Sequence, residues 1–309
     1  FPKGEYKGCL PTYNAIEPYY FGKLISGDVM NSTMTYYKIW LATLLIVCFS
    51  RTSYSQDSET GKLQTRTLLF GLGQSSVIET YLSPYKYSGI NYRLDFSLDK
   101  DSKNGLVTWQ HDINMDYAHA TNYSDRGLYH TAFLDYTFSY LRKVVSTDKL
   151  HAKIGLAPDF LLGVVYNTRN DNNPAEAKVN LNLDFAGRLD YRFRWKQTPV
   201  LLSYDLKMPV LGAGFSPDYG QSYYEIFELG NRSNIVHLLS LHNQWTFNNK
   251  LTMELPVRNY SLKFGYLFNL YQTRISNIET SVMNHNLLIG ISGDILHLSR
   301  KKHLQGNSF

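Results

Sequence analysis

The chain has 309 residues, of which 43% are hydrophobic, 15% aromatic and 18% charged, with 25 Tyr, 2 Cys and a formal net charge of +5. Its mean hydropathy is −0.30, and no apolar run approaches the ~18 residues that a spanning helix needs, which excludes a protein of several transmembrane helices. The apolar and aromatic content excludes intrinsic disorder, and two Cys exclude a disulfide scaffold.

In chain order, the first 55 residues stand apart from the rest. The chain opens with Phe1 and not Met, so residues 1–33 are expected to be an upstream extension outside the native fold. From Met34 the pattern is that of a secretory signal peptide over 34–55: Lys38, then 11 apolar residues from Ile39 to Phe49, then Ser53 and Ser55 ahead of a cut before Gln56. Eleven residues cannot cross ~30 Å of hydrocarbon as a helix. A lipid anchor at Cys48 is disfavoured by Val47, where a small residue is required. Removing Lys3, Lys7, Lys23, Lys38 and Arg51 takes Lys+Arg from 31 to 26, and removing Glu5, Glu17 and Asp28 takes Asp+Glu from 26 to 23. A net charge of +3 is too small to argue for nucleic acid, and the exported chain has no Cys.

From there on one pattern repeats. Over residues 179–196 the odd positions read Val179, Leu181, Leu183, Phe185, Gly187, Leu189, Tyr191, Phe193 and Trp195, while the even ones are polar or charged apart from Ala186. Successive side chains of a strand point to opposite faces, so one face here is apolar and the other charged. A helix would set Phe185 beside Arg188. Ordinary strands run ~5–6 residues, and ~9–11 tilted residues suffice to cross a bilayer. The alternation recurs over 90–99, 107–117, 128–140, 154–166, 200–208 and 260–270, and more weakly over 68–82, 245–255 and 283–291, which makes ten strands.

A soluble β-sandwich also alternates. The length of these strands, the signal peptide and the aromatics near strand ends (Tyr81, Tyr117, Tyr140, Tyr166, Trp195, Tyr271) point instead to an all-β, closed, antiparallel up-and-down transmembrane barrel over 56–298. With the N-terminus inside, periplasmic links fall at 99–105, 145–150, 197–198 and 257–258, and outer links at 83–88, 120–126, 168–176, 212–243 and 277–280. An even strand count leaves the basic tail 299–309 in the periplasm; two further strands within 212–243 would make twelve.

Ten strands enclose little more room than side chains fill. Inward positions carry Arg93, Asp95, Asp112, Asp116, Asp159, Asp184, Arg188, Asp190, Arg192, Arg194, Lys207 and Lys263. Among these, Arg93, Asp95, Asp184, Arg188, Asp190, Arg192 and Arg194 are expected to form a lumenal charge network. Charges of both signs suit a paired filling better than an ion or proton path. The 32 residues 212–243 are too long for a plain connection. Ser222 and Glu225 make a capping box and Gly230 a stop, which predicts a short helix over 223–229 within a structured extracellular loop. Tyr219, Gln221, Tyr223, Tyr224, Glu225, Glu228 and Asn231 are its candidates for binding a ligand or for sealing the mouth as a lid.

Two strings, VYNTRNDNNPAEA at 165–177 and FSPDYGQSYYEIFELGN at 215–231, resemble a family of outer-membrane β-barrel proteins of unknown function from Bacteroidota. The resemblance covers most of 66–292, and the second string is its most specific part. It implies the fold and the outer membrane, and it carries over no activity and no catalytic residue.

Catalytic patterns are weak. A lipid hydrolase of the outer membrane needs His, a hydroxyl two residues on and Asn on the barrel wall. The nearest approach is His119, Thr121 and Asn122, with Thr in place of Ser. The nine His include no His–x–Asp pair; His111 and His130, both on lipid-facing stripes, are the candidates to meet across strands. No metal or cofactor motif is present. The expected partners are outer-membrane lipid and other outer-membrane proteins, with no nucleic acid. The expected role is a structural, binding or complex-partner barrel at the cell surface, with a lipid-modifying enzyme and a narrow channel as alternatives.

Overall fold

A computed structural model describes residues 62–102, 104–124, 127–170, 173–257 and 260–297. The expected extension, signal peptide and basic tail lie outside the described residues.

The elements are β1 (Lys62–Glu79), β2 (Ser83–Asp101), β3 (Val107–Asn122), β4 (Leu128–Ser146), β5 (Leu150–Asn167), β6 (Ala175–Trp195) and β7 (Thr198–Phe215). A short helix α1 (Tyr223–Phe227) follows, then β8 (Val236–Ser240), β9 (Gln244–Val257), β10 (Tyr260–Ile275) and β11 (Ile278–His297). Neighbours pair antiparallel in the order β6-β5-β4-β3-β2-β1-β11-β10-β9-β7, and β6 also pairs β7, so ten strands close a ring. The seam between the first and last strands is continuous from Lys62↔His297 to Glu79↔Thr280. Closure leaves no edge among the ring strands, as a sheet exposed to lipid requires.

The polarity is that of a globular protein turned inside out. Along β2, Asn91, Arg93, Asp95 and Ser97 are buried, while Ile90 and Tyr92 are exposed. On the other strands Leu72, Met115, Leu134, Leu156, Leu181, Phe264 and Leu287 also face outward. Such a surface is stable only against another apolar phase.

The structure shifts several expected boundaries. The link expected at 83–88 is the turn 80–82, because β2 already begins at Ser83. Pro84 stands at its first turn of chain, where a missing N–H is tolerated. The expected loop 212–243 shrinks to 216–235, because β7 runs on to Phe215 and pairs β8 from Leu211↔Ser240 to Phe215↔Val236. Gly212 and Gly214 hid this part of β7: with no side chains they break the apolar–polar alternation. They are small for a reason, since a Cβ on Gly212 would lie 2.2 Å from Asn182 Oδ1 and one on Gly214 2.6 Å from Leu239 Cδ1. The two extra ring strands that would have made twelve are not there; β8 is a single short strand outside the ring, paired to β7. The helix ends at Phe227, earlier than expected.

Candidate functional site: the lumen and its lid

One end of the barrel is filled by an apolar plug. Val77, Tyr87, Ala120, Tyr129, Val165, Tyr271 and Val282 form a buried cluster, with Phe133 and Leu161 packed against it. Tyr87 and Tyr129 stack with ring centroids 3.6 Å apart and planes 7° from parallel. Tyr81 and Tyr271, expected among the aromatics near strand ends, turn inward: Tyr271 lies in this plug, and Tyr81, in the turn before β2, packs against it. Odd residues of β10 face inward, and that parity overrides the general preference of Tyr for interfaces.

Beside the plug lies a buried triad. Lys178 Nζ stands 2.9 Å from Glu79 Oε2 and 2.9 Å from Glu176 Oε1. Lys178 also donates to Thr280 Oγ1 at 2.7 Å, and the Thr280 hydroxyl donates to Glu79 at 2.6 Å. Glu176 and Lys178 continue the even face of β6, and starting that strand at Val179 had left them out of the expected network.

The loop 216–235 folds down onto this end. Ser222 caps α1 by accepting from the Glu225 N–H at 3.2 Å, and Glu225 accepts from the Ser222 N–H at 2.9 Å, the reciprocal pair that the sequence predicts. Gly230, with φ 72°, turns the chain away after the helix. The Tyr81 hydroxyl donates to the Gln221 carbonyl at 2.7 Å, and the Ala177 N–H donates to the Tyr223 hydroxyl at 2.7 Å. Tyr81 and Tyr223 meet edge to face at 6.3 Å. Burial, with Glu176, Glu225 and Glu79 nearby, pushes the Tyr81 phenol up to about 12. Burial and Glu176 push Tyr223 up as well, against the Ala177 N–H.

The seven loop candidates therefore divide. Gln221 and Tyr223 face the barrel. Gln221 is buried and bridges its own loop by donating to the Asn231 carbonyl at 2.9 Å. Glu225 serves the helix cap. Tyr219 and Tyr224 are 68% and 62% exposed, and Phe227 and Leu229 beside them are exposed too; Glu228 and Asn231 are likewise open to solvent.

The charge candidates divide as well. Arg93 binds Asp95 at 2.5 Å and also pairs with Asp116. Arg188 binds Asp205 at 2.5 Å and Asp99 at 2.7 Å. Asp190 accepts from the Ser203 hydroxyl at 2.7 Å. Asp184 is buried on the wall of a lumenal cavity of about 50 Å³. Arg192 and Arg194 are exposed, beyond these ion pairs, and line a cleft of about 750 Å³ at the opposite end with Lys149, Phe193 and Glu254. That part of β6 projects past the packed lumen, so even-numbered side chains there meet solvent. Further lumenal pairs are Lys207–Asp112 at 2.5 Å and Lys263–Glu254 at 3.0 Å.

The outer wall carries His residues held by Tyr. His130 bonds the Tyr117 hydroxyl at 2.8 Å, His111 that of Tyr136 at 3.0 Å and His285 that of Tyr266 at 2.6 Å. His111 and His130 do not face one another as the strand pattern suggested. Register sets His119 opposite His130, with rings 5.2 Å apart, and His111 opposite Phe138. Among the described residues no three His, Cys, Asp or Glu side chains converge to chelate a metal.

A comparison with curated proteins gives no match. Among solved structures, the translocator domain of the autotransporter NalP from Neisseria meningitidis is similar at 9% identity, covering 85% of this chain and 97% of its own, with a TM-score of 0.40. The outer membrane protease OmpT from Escherichia coli is similar at 6% identity over 78% of this chain and 99% of its own, with a TM-score of 0.41. The beta domain of the Bordetella autotransporter BrkA is similar at 10% identity over 75% of this chain and 99% of its own, with a TM-score of 0.32. At the level of sequence, residues 38–302 match the family described as "Protein of unknown function (DUF3316)", and the chain belongs to that family.

Proposed function

We propose that this protein is an outer-membrane β-barrel that serves as a binding platform at the cell surface, with a filled lumen and a structured extracellular loop. The observation that carries this is the loop itself. It is anchored from below through Tyr81, Gln221 and Tyr223 while Tyr219, Tyr224, Phe227 and Leu229 stand exposed on its far side. Rigid aromatic side chains lose little entropy on binding and commonly anchor protein interfaces. The apolar outer wall supports a membrane location, and export by a signal peptide supports the outer membrane of a Gram-negative cell, with Bacteroidota as the source the motif suggests. Membrane lipid is one partner, and another outer-membrane protein is the other.

The lumen argues against an open channel, because the Tyr87–Tyr129 plug lies beneath the lid. Planar-bilayer recordings are expected to give no conductance steps from the intact protein or from a form lacking Tyr219–Asn231. Steps from the intact protein would overturn the filled-lumen reading. Affinity purification from its own outer membrane is expected to retain a partner that Tyr224→Ala with Phe227→Ala releases several-fold. Retention unchanged by those substitutions would move the platform away from this loop. Lipase activity that depends on His119 and Thr121 would replace the reading with an enzymatic one.

A further inference from the structure

We propose that the cleft at the end opposite the lid binds a phosphate monoester, held by Lys149, Arg192 and Arg194. Strand register builds this cleft. Arg192 lies opposite Leu201 and Arg194 opposite Pro199, while Leu201 lies opposite Glu254 and Pro256 opposite Ser261. Directly opposed residues share a face of the sheet. Arg188 forms its ion pairs inside the lumen, so Arg192 and Arg194, at the same parity, belong to the inner face. The mouth thus presents two guanidiniums beside an apolar side made by Pro199, Leu201 and Pro256. The Arg192 N–H donates to the Lys149 carbonyl at 2.7 Å, and the Leu150 N–H donates to the Thr147 hydroxyl at 2.9 Å. These bonds pin the turn after β4 to β6 and keep Lys149 on the same cleft wall.

The charge of the cleft is unbalanced. Its acids are Asp148 and Glu254. Glu254 is already engaged, with Lys263 Nζ 3.0 Å away and the Ser292 hydroxyl donating to it at 2.9 Å. Lys149, Arg192 and Arg194 then face Asp148, three charges against one, and among the described residues none of the three takes part in an ion pair. A second observation lies just inside. His151, opposite Asp190, stands at the start of β5, outside the ~9–11 residues that cross the bilayer. Burial and the positive charges of Arg192, Lys143 and Lys153 hold its imidazole below the ordinary value, against Asp190. The rim therefore carries a positive field that its own acids do not cancel. A surplus of two charges matches a phosphate monoester, which carries about −1.5 to −2 at pH 7 and offers three acceptor oxygens. Guanidinium forks bind such oxygens in pairs. The cleft volume of about 750 Å³ falls within the ~300–1,000 Å³ of small-molecule sites, which leaves room for an organic group on the ester. The Pro199, Leu201 and Pro256 side suits an apolar one.

The test titrates the full chain, refolded in a non-ionic detergent, with phenyl phosphate by calorimetry. One site per barrel is expected. Benzoate, the same ring with a single negative charge, is expected to bind at least tenfold more weakly. Arg192→Gln with Arg194→Gln is expected to weaken phenyl phosphate at least tenfold and Lys149→Gln several-fold. Lys86→Gln, exposed on β2 at the lid end, is expected to leave it unchanged. Heat-shifted gel mobility checks that each variant is folded; should the double variant not fold, Arg194→Gln alone is expected to lose several-fold and decides. Two competitors identify the source: stronger displacement by glycerol 3-phosphate assigns the site to a soluble ester, and stronger displacement by dihexanoyl phosphatidic acid to a membrane lipid, either sustaining the proposal. No saturable binding, equal affinity in the folded arginine variants, or benzoate bound as tightly as phenyl phosphate would overturn the site.

Discussion

Lys178 shows how much rests on single side chains in this lumen. Buried between Glu79 and Glu176, it is the positive charge that, among the described residues, pairs with both and makes the two buried carboxylates tolerable. Lys178→Met is expected to lower stability by about 3–5 kcal/mol, since removing one partner of a buried ion pair strands the others. Urea unfolding followed by gel mobility measures it, and adding Glu79→Gln is expected to restore part of the loss. A second residue-scale expectation concerns pH. The Tyr81 phenol is held up near 12 by burial and by nearby carboxylates. A folded value above the unfolded one means that the neutral form stabilises the docked loop. That stabilisation is full below pH 10 and disappears as pH rises from about 10 through 12. Limited proteolysis of the loop against pH should show release across that window, and Tyr81→Phe should shift it.

At the scale of elements, the capping box of α1 was legible because its signal is local: Ser222 and Glu225 are three residues apart and need nothing from elsewhere. Ser222→Ala is expected to weaken the helix by about 1 kcal/mol, read as faster hydrogen exchange in 223–231 with the barrel unchanged. The extension of β7 and the existence of β8 were not legible. Gly212 and Gly214 erase the period-two signal, and the pairing with Leu239 and neighbours appears only once the chain has returned. Gly163 illustrates packing that no pattern predicts: a Cβ there would come within 2.3 Å of the Phe133 ring. Gly163→Val is therefore expected to destabilise the plug by about 1–3 kcal/mol through overpacking, measurable by urea unfolding.

For the whole molecule, the decisive property is inverted polarity. Leu287 sits near the middle of β11 and is 71% exposed. If the wall faces lipid, Leu287→Arg is expected to lose about 2–4 kcal/mol when the barrel is unfolded from bilayers, and much less from a soluble environment. Unfolding from lipid with no loss would sink the membrane assignment. The closed ring also explains why the long strands stay in register: a slip of one residue would turn Arg93 and Asp95 to the outside and Tyr92 to the lumen.

By itself the sequence determined the fold class, the strand parity and the capped loop helix, because alternation and caps are short-range properties of the chain. It also placed Arg93, Asp95, Asp184 and Arg188 inward, since parity alone decides which face a residue takes. Only the tertiary structure decided which charges meet. Lys178 and Thr280 are 102 residues apart yet in contact, and Arg188 reaches Asp99 across the lumen. It also decided that Arg192 and Arg194 lie beyond the packed interior, that Tyr271 fills a plug, and that Asp135, Asp159 and Asp184 share a cavity with Arg93 and Lys207. Ring closure brings distant strands face to face, and no periodicity within one strand encodes its partner across the barrel.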